Sequence, residues 1–312
     1  MSGLYSALKQ SYQHLEILCV DDGSTDNSYK KVIRIAKRDK RVRVIKTEHK
    51  GSGEARNVAL NVASGKYVMF MDMDDKYPDK NTVSKLVSKA ESVDCDIVGG
   101  SMIRCVDKKI ECDWDGRCKG FLFEKEQKID FKDYQFEYGF YRFIYNREFL
   151  IKERIRFPRY LRYQDTLFMV QAMHKAGCFY ALPDVVYVYN THAKFKKWNK
   201  QQTIDCINAL TDMLRFAIDN SYELLEHTTI MRINDFVPNM SEYFQTDEVK
   251  KACDIFLSEV VKVLPLDKYC YNVWEQLGTN VVEQNNITNS KSYKIGRCIT
   301  AIPRTIRAIL TK

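Results

Sequence analysis

The sequence predicts an α/β fold, in which a mainly parallel sheet is flanked by helices and followed by a helical carboxyl-terminal region. Two observations lead to this prediction. Short apolar runs alternate with helical patterns over the first hundred residues, and apolar residues recur at helical spacing from about residue 201 onward. The chain has 312 residues, of which 45% are apolar. That length is ample for a sizeable core, and the composition excludes collagen-like, low-complexity and wholly disordered proteins.

Each predicted strand in this part of the chain ends at a turn or loop signal, and a predicted helix follows it. The predicted strands cover residues 15–20, 42–45, 67–71 and 96–99, and the predicted helices cover residues 24–35, 54–63 and a segment that opens at Pro78. Residues 121–150 are rich in Phe and Tyr without a clear period, so we predict mixed α and β structure there. We place the domain boundary at residue 200, which gives a catalytic-type domain over 1–200 and a helical region over 201–312.

The distribution of cysteine, apolar and charged residues excludes several other classes of protein. The ten cysteines are scattered and contain no C-x-x-C pair, which favours reduced thiols over a disulfide scaffold or a structural zinc site. No apolar run approaches the roughly 18 residues of a membrane-spanning helix, and the first residues lack a signal-peptide pattern, so we expect a cytoplasmic protein. The net charge is +8. Because much of it lies in one tail, we expect no nucleic-acid partner.

Clusters of acidic residues follow two of the predicted strands. Residues 20–26 read VDDGSTD and residues 70–75 read FMDMDD, with the glycine-containing segment GSGEARN at 51–57 between them. Residues two apart in extended backbone point to the same side, so Asp72 and Asp74 can present their carboxylates together, with Asp75 beside them. A hard divalent cation, Mg²⁺ or Mn²⁺, would relieve the repulsion among these acids and would bind phosphate oxygens. The alternative is an acidic, solvated loop.

These three segments, in this order, resemble the family 2 glycosyltransferases, which have the GT-A fold. The resemblance implies inverting, metal-dependent transfer of a sugar from a UDP-sugar to a hydroxyl of a glycan or lipid-linked acceptor, in the synthesis of bacterial surface polysaccharides. It also implies that Asp22 binds the nucleotide base, that Asp72 contacts the ribose or the diphosphate, and that Asp74 binds the metal with help from Asp75. Arg56 would pair with the diphosphate, and an ion pair on the helix surface is the alternative for this side chain.

A later segment, Tyr163 to Phe168, resembles the Glu-Asp motif of the same family, with Gln164 in the place of the usual Glu. The resemblance assigns Asp165 as the general base that deprotonates the acceptor hydroxyl. A role as the N-cap of a helix over residues 166–174 is the structural alternative for Asp165, and the two roles are compatible. The basic segment 192–200 is a candidate lid over the diphosphate.

The last residues, 290–312, combine six Lys and Arg with no acid, and their apolar residues fall within an arc of roughly 120° on a helical projection. This pattern predicts an amphipathic helix on an anionic membrane, at the inner face of the cell membrane, although Pro303 interrupts it. A helix that docks on the protein itself is the alternative.

The resemblance also implies an apolar strand before the helix predicted at residues 2–10, and this strand is missing from the sequence. Its loss would leave ladder hydrogen bonds unpaired and a packing void beside the nucleotide site, so we expect either an upstream start or an impaired domain. Two other functions remain open. One is a catalytically silent scaffold that binds membrane or partner proteins, and the other is a nucleotidyltransferase, which also combines an α/β sheet with paired acids.

Overall fold

The computed structural model of the protein describes residues 1–107, 109–111, 121–191 and 197–263. The chain divides into two compact units, Met1–Lys194 and Phe195–Lys312. The predicted amphipathic segment 290–312 and most of the candidate lid lie outside the described residues.

The first unit alternates helices and strands, as the apolar runs predict. Its elements are α1 (Ser2–Leu8), β1 (Ile17–Asp22), α2 (Ser28–Ala36), β2 (Val42–Thr47), α3 (Ser52–Val62), β3 (Tyr67–Met69), α4 (Thr82–Ser92), β4 (Ile97–Val106), β5 (Lys109–Glu111), β6 (Gln127–Asp130), α5 (Phe131–Tyr134), a 3₁₀ turn (Phe140–Arg142), β7 (Phe143–Asn146), α6 (Arg147–Lys152), α7 (Gln164–Ala176) and β8 (Cys178–Thr191). The α/β class of the prediction is confirmed.

The strand directions are more mixed than the expected mainly parallel sheet. Strands β1 and β2 pair in parallel as a two-stranded sheet, and the other six form a sheet of order β3-β7-β4-β8-β6, with β5 paired to β4. In the larger sheet β4 and β8 are parallel, whereas β7 and β6 run antiparallel to their neighbours. Strand β5 is also antiparallel to β4, and the aromatic segment 121–150 supplies β6 and β7, so the strand pattern of the first hundred residues does not predict these three strands.

A cavity of about 850 Å³ lies beside the two sheets and is lined by residues of both β1 and β3. Its walls include apolar side chains such as Cys19 and Val68, and Asp22, Arg56 and Asp72 also line it. Its volume is that of a typical small-molecule site.

Aromatic side chains support the end of β3. Phe70 is buried and meets the rings of Phe140, Phe157 and Phe168 with centroids 5.1–5.6 Å apart. Phe157 and Phe168 stack on each other at 4.0 Å. Such contacts add to the large apolar area that each ring buries. The backbone that carries the acids after Phe70 therefore starts from a rigid support.

The second unit is helical over its described part. It contains α8 (Lys200–Asp219), α9 (Glu223–Met240), a 3₁₀ turn (Ser241–Tyr243) and α10 (Asp247–Val263). Asn199 starts α8 with a capping box, because its side chain accepts the Gln202 N–H at 2.8 Å while the Gln202 side chain accepts the Asn199 N–H at 3.1 Å. Among the helices of the described residues, none is long and apolar enough to span a bilayer.

Candidate functional site

The acidic clusters meet at one edge of the first unit. Asp22 ends β1, Asp72 and Asp74 follow β3, and Arg56 lies on α3, whereas Asp165 lies in the first turn of α7. Arg56 forms an ion pair with Asp72, and the charge of Asp165 also acts on Arg56. The structure thus brings together residues that are up to 109 positions apart in the sequence, at the carboxyl ends of strands, where ligands of α/β sheets bind.

The carboxylate of Asp22 holds the loop that leads into α3. It accepts the backbone N–H groups of Lys50 and Gly51 at 2.8 and 2.9 Å, and Nδ1 of His49 lies 2.9 Å from Oδ2. Gly51 has a φ of +95°, which favours glycine, and an added Cβ would lie 2.9 Å from a methyl group of Leu161. A carboxylate offers about four acceptor positions, so these contacts leave capacity for a ligand.

The first turns of α3 and α7 are joined by the side chain of Gln164. Its Nε2 donates to Oγ of Ser52 at 2.7 Å, and an added Cβ on Gly53 would lie 2.9 Å from its Cγ. Gln164, which replaces the expected Glu, is therefore buried in a neutral contact with Ser52. This contact also keeps Asp165, the next residue, close to α3.

Arg56 forms a largely buried ion pair with Asp72. Nη2 of Arg56 lies 2.7 Å from Oδ1 of Asp72, and the guanidinium lies over the rings of Phe140 and Phe157 at 4.8 and 5.4 Å. Burial lowers the pKa of Arg56, but the carboxylates of Asp72 and Asp165 outweigh this effect and raise it. The predicted alternative, an ion pair on the helix surface, is wrong in one respect, because only 15% of the Arg56 side chain is exposed.

The other terminal nitrogen of this guanidinium has no acceptor. Nη1 of Arg56 is buried and makes no hydrogen bond within the described residues. A buried donor without an acceptor is costly and therefore rare in folded proteins. Because this donor belongs to a cation that already lines the cavity, the site is prepared to receive an anionic or carbonyl oxygen.

Asp165 lies inside α7 and is not its N-cap. The helix begins at Gln164, two residues before the predicted start, and Tyr163 is the N-cap, with a left-handed φ of +64°. Burial raises the pKa of Asp165, while the Arg56 guanidinium and the N–H groups of Asp165 and Thr166 oppose this increase and Asp72 adds to it. A carboxylate with a raised pKa close to Arg56 and Asp72 is suited to accept a proton.

Asp75 faces into the protein. It is fully buried, Oη of Tyr187 donates to its Oδ2 at 2.6 Å, and the backbone N–H of Asn190 donates to its Oδ1 at 2.7 Å. Burial raises the pKa of Asp75 to about 7, although these two donors oppose the increase and the carboxylates of Asp72 and Asp74 add to it. These contacts favour a structural role, fastening the acidic loop to β8, over the predicted contact with a metal.

Asp74 is the acid that the structure leaves accessible. Its side chain is exposed and forms no ion pair or hydrogen bond with the described residues, while its backbone carbonyl accepts from Oγ of Ser2 and Nδ2 of Asn190, both at 2.7 Å. Across the described ranges, no three His, Cys, Asp or Glu side chains converge closely enough to hold a metal by themselves. Any cation here would need oxygen ligands from a bound molecule or from water.

Two further groups of residues lie near the acidic clusters, and the sequence analysis did not assign them to the site. Tyr141 stacks between Tyr187 and Tyr189, with ring centroids 4.5 and 5.7 Å apart. Asp21, which precedes Asp22 in β1, has a buried Oδ2 that forms no hydrogen bond with a described residue, and it lines the cavity. The alternation of Tyr187 and Tyr189 along β8 was the available signal, since alternate residues share a face of a strand.

We expect Tyr187→Phe to lower the free energy of unfolding by about 1–3 kcal/mol, because it leaves the buried Asp75 carboxylate one donor short. Urea denaturation would measure this change. The matched control is Tyr180→Phe on the same strand, since Tyr180 is only half-buried and its hydroxyl lies 3.4 Å from Glu126. The control should change stability by less than about 0.5 kcal/mol. Equal losses in the two variants would contradict the role given to the contact between Tyr187 and Asp75.

Comparisons with known proteins find similar sequences. The family model described as Glycosyl transferase family 2 matches residues 3–153. The glycosyltransferase EpsJ of Bacillus subtilis is 30% identical over 189 residues, which are 59% of this chain and 55% of that protein. The Escherichia coli protein named UDP-Glc:alpha-D-GlcNAc-diphosphoundecaprenol beta-1,3-glucosyltransferase WfaP is 44% identical over 71 residues, 22% of this chain and 28% of that protein. The matches thus span about half or less of the length of these relatives.

Among solved structures, the fold is similar to that of S. aureus TarS, residues 1–349, in complex with UDP. The TM-score is 0.68 at 18% identity, and the likeness covers 99% of this chain and 87% of the other. The same protein in complex with UDP-GlcNAc gives a TM-score of 0.66. At this identity the likeness shows the fold, which is GT-A. Taken with the family match, it shows that residues 3–153 form a glycosyltransferase family 2 domain.

Proposed function

We propose that the protein transfers a sugar from a UDP-sugar to a hydroxyl of a glycan or lipid-linked acceptor, with inversion at the anomeric carbon and with the help of a divalent cation. The observation that carries the proposal is the buried, unpaired Nη1 of Arg56, which lines a cavity beside Asp72 and within electrostatic reach of Asp165. A diphosphate oxygen is a suitable acceptor for this donor. Asp22 and the neighbouring Asp21 would contact the nucleotide base and ribose.

The reaction is a single displacement. Asp165 accepts the proton of the acceptor hydroxyl, the hydroxyl oxygen forms a bond to the anomeric carbon, and the bond from that carbon to the UDP oxygen breaks. The electron pair of the broken bond leaves with UDP, and the proton remains on Asp165 until solvent removes it. Arg56 holds the diphosphate and balances part of the negative charge that develops there.

The acids fit a cation that binds together with the donor. Mg²⁺ in nucleotide sites is commonly held by one or two carboxylates plus substrate phosphates and water, and Mn²⁺ prefers similar oxygen ligands. Asp74 is accessible and Asp72 is 36% exposed, so these two would supply the carboxylates. When bound, the cation would neutralise charge on the departing diphosphate. Asp75 would keep the loop in place.

The substrate classes rest on the named relatives and on the chemistry of the site. The name of the E. coli relative gives a UDP-sugar donor and a diphospholipid acceptor, and the solved TarS complexes contain UDP or UDP-GlcNAc. A lipid-linked acceptor makes contact with a membrane useful, and the amphipathic pattern of residues 290–312 would supply such contact. We therefore propose a role in surface polysaccharide synthesis, with peripheral association at the inner face of the cell membrane.

Calorimetry with UDP in the presence and absence of Mn²⁺ tests the proposal. We expect metal-dependent binding that Arg56→Lys weakens at least about tenfold, because a lysine cannot reproduce the planar fork of donors that a diphosphate accepts. Arg34→Lys, on the exposed face of α2, is the matched control and should bind as the unmodified chain does.

Other outcomes would favour the alternative functions. Absence of metal-dependent heat would indicate the silent scaffold. Release of pyrophosphate from a sugar phosphate and nucleoside triphosphate, with no UDP released from UDP-sugars, would indicate a nucleotidyltransferase.

A further inference from the structure

The positive charge of the described chain is concentrated around α2. Residues 28–46 contain nine Lys and Arg and a single acid, Asp39, in a chain whose total net charge is +8. Two of the nine cations are engaged by acids, because Arg41 pairs with Asp39 at 2.8 Å and Arg43 pairs with Glu16. The excess charge of this segment is therefore carried mainly by the helix and by the turn that follows it.

Five of these cations form what we call the basic face, which consists of Lys30, Lys31, Arg34, Lys37 and Arg38. All five are exposed, and none forms an ion pair with a described residue. At about 100° per residue they fall within an arc of roughly 120°. No acidic residue interrupts this arc.

The packing of α2 fixes the direction of the basic face. Val32 is buried with Leu4 of α1 and Val42 of β2, and Ile35 and Ala36 pack against the same cluster. These apolar residues occupy the side of the helix opposite the basic face. The cations are consequently held outward by a packed core and do not depend on a free segment of chain for their arrangement.

We propose that the basic face docks the protein on a bilayer that contains anionic lipids. Charge complementarity carries the proposal, since several Lys and Arg on one side of an amphipathic helix attract anionic headgroups by roughly a fivefold factor per cation near the surface. An RNA partner is less well matched, because no exposed aromatic side chain lies among the five cations to stack on bases. The inference does not depend on sugar transfer, and it adds a second contact to the one predicted for residues 290–312.

Sedimentation of the full chain with vesicles tests the proposal. The vesicles contain phosphatidylglycerol in phosphatidylcholine, and pure phosphatidylcholine vesicles serve as the reference. The variant combines Lys30→Glu, Arg34→Glu and Lys37→Glu. The matched control combines Lys125→Glu, Lys132→Glu and Lys251→Glu, which are exposed lysines elsewhere and change the net charge equally. Circular dichroism and thermal melting check that both remain folded.

We expect the first variant to lower the partition onto anionic vesicles at least about fiftyfold. The control should lower it by less than about fivefold, and added salt should weaken binding of the unmodified chain. Unchanged binding of the first variant, equal losses in both variants, or equal binding to uncharged vesicles would overturn the proposal. The proposal would also fail if deletion of residues 290–312 abolished vesicle binding while the first variant left it unchanged. Tight binding of single-stranded RNA that the first variant abolishes would likewise overturn it.

Calorimetry with UDP on the same variants separates this inference from the proposed function. Reduced vesicle binding with unchanged UDP binding would support the basic face alone. Absence of UDP binding in every variant, with vesicle binding that depends on the basic face, would contradict the proposed function and leave the docking surface intact.

Discussion

Asp165→Asn is expected to reduce sugar transfer about 10²–10⁴-fold, the usual contribution of a positioned general base. The amide cannot accept the proton of the acceptor hydroxyl, but it has nearly the same shape as the carboxylate, so UDP binding should persist. Measuring kcat with a UDP-sugar and calorimetric binding of UDP on the same preparation separates the two effects. Asp133→Asn, which makes the same exchange in the first turn of α5, is the matched control and should leave transfer unchanged.

The pH dependence of transfer should follow from the position of Asp165. Only the ionised carboxylate accepts a proton, so kcat/KM should fall as pH decreases through the pKa of this group. Because burial raises that pKa, the decrease should begin above the value of about 3.9 that is usual for an aspartate. Normal transfer by Asp165→Asn, or an unchanged acid limb in that variant, would remove Asp165 from the role of base.

Asp74→Asn is expected to lower transfer at least about a hundredfold and to remove its dependence on added Mn²⁺ or Mg²⁺. A divalent cation contributes several kcal/mol to the stabilisation of developing charge, and each 1.36 kcal/mol corresponds to a factor of ten in rate. Excess chelator should reduce the activity of the unmodified chain to a similar level. Metal titrations of initial rates would measure both effects.

The control for this second prediction is Asp94→Asn, another exposed aspartate of the first unit that lies in a loop. It should keep the full metal response. Stability should change little in Asp74→Asn, since this exposed side chain forms no hydrogen bond or ion pair with the described residues. Undiminished, chelator-resistant transfer by Asp74→Asn would exclude the metal site as proposed.

The sequence predicts the parts of this molecule that depend on local pattern. The apolar runs that end at acidic residues predict the positions of β1 and β3 to within a few residues. Because the carboxyl ends of strands in α/β proteins lie at one edge of the sheet, Asp22 and Asp72 were expected near each other. Arg56 was also expected near the diphosphate, because the family resemblance implies that position for it.

Contacts between distant segments could not be predicted in this way. The resemblance implies that Asp75 helps to bind the metal, but Tyr187, 112 positions later, donates a hydrogen bond to it inside the protein. Gln164 appears to be a departure from the family pattern, and its contact with Ser52 spans another 112 positions. A single sequence shows which side chains have suitable chemistry. It does not show which of them a partner from another strand or helix has already engaged.

The hydrogen bond between α1 and the segment after β3 has a consequence for the shape of the cavity. Among the described strands, β1 and β3 share no ladder, so the part of the cavity at Asp22 and the part at Asp72 belong to different hydrogen-bonded frames. The first residues of α1 link these frames, because Gly3 donates to the Met73 carbonyl at 3.2 Å and an added Cβ on Gly3 would lie 2.5 Å from the Asp72 carbonyl. The distance between these two parts of the cavity is thus set partly by α1, which also lines the cavity, and a single methyl group on Gly3 would alter that distance.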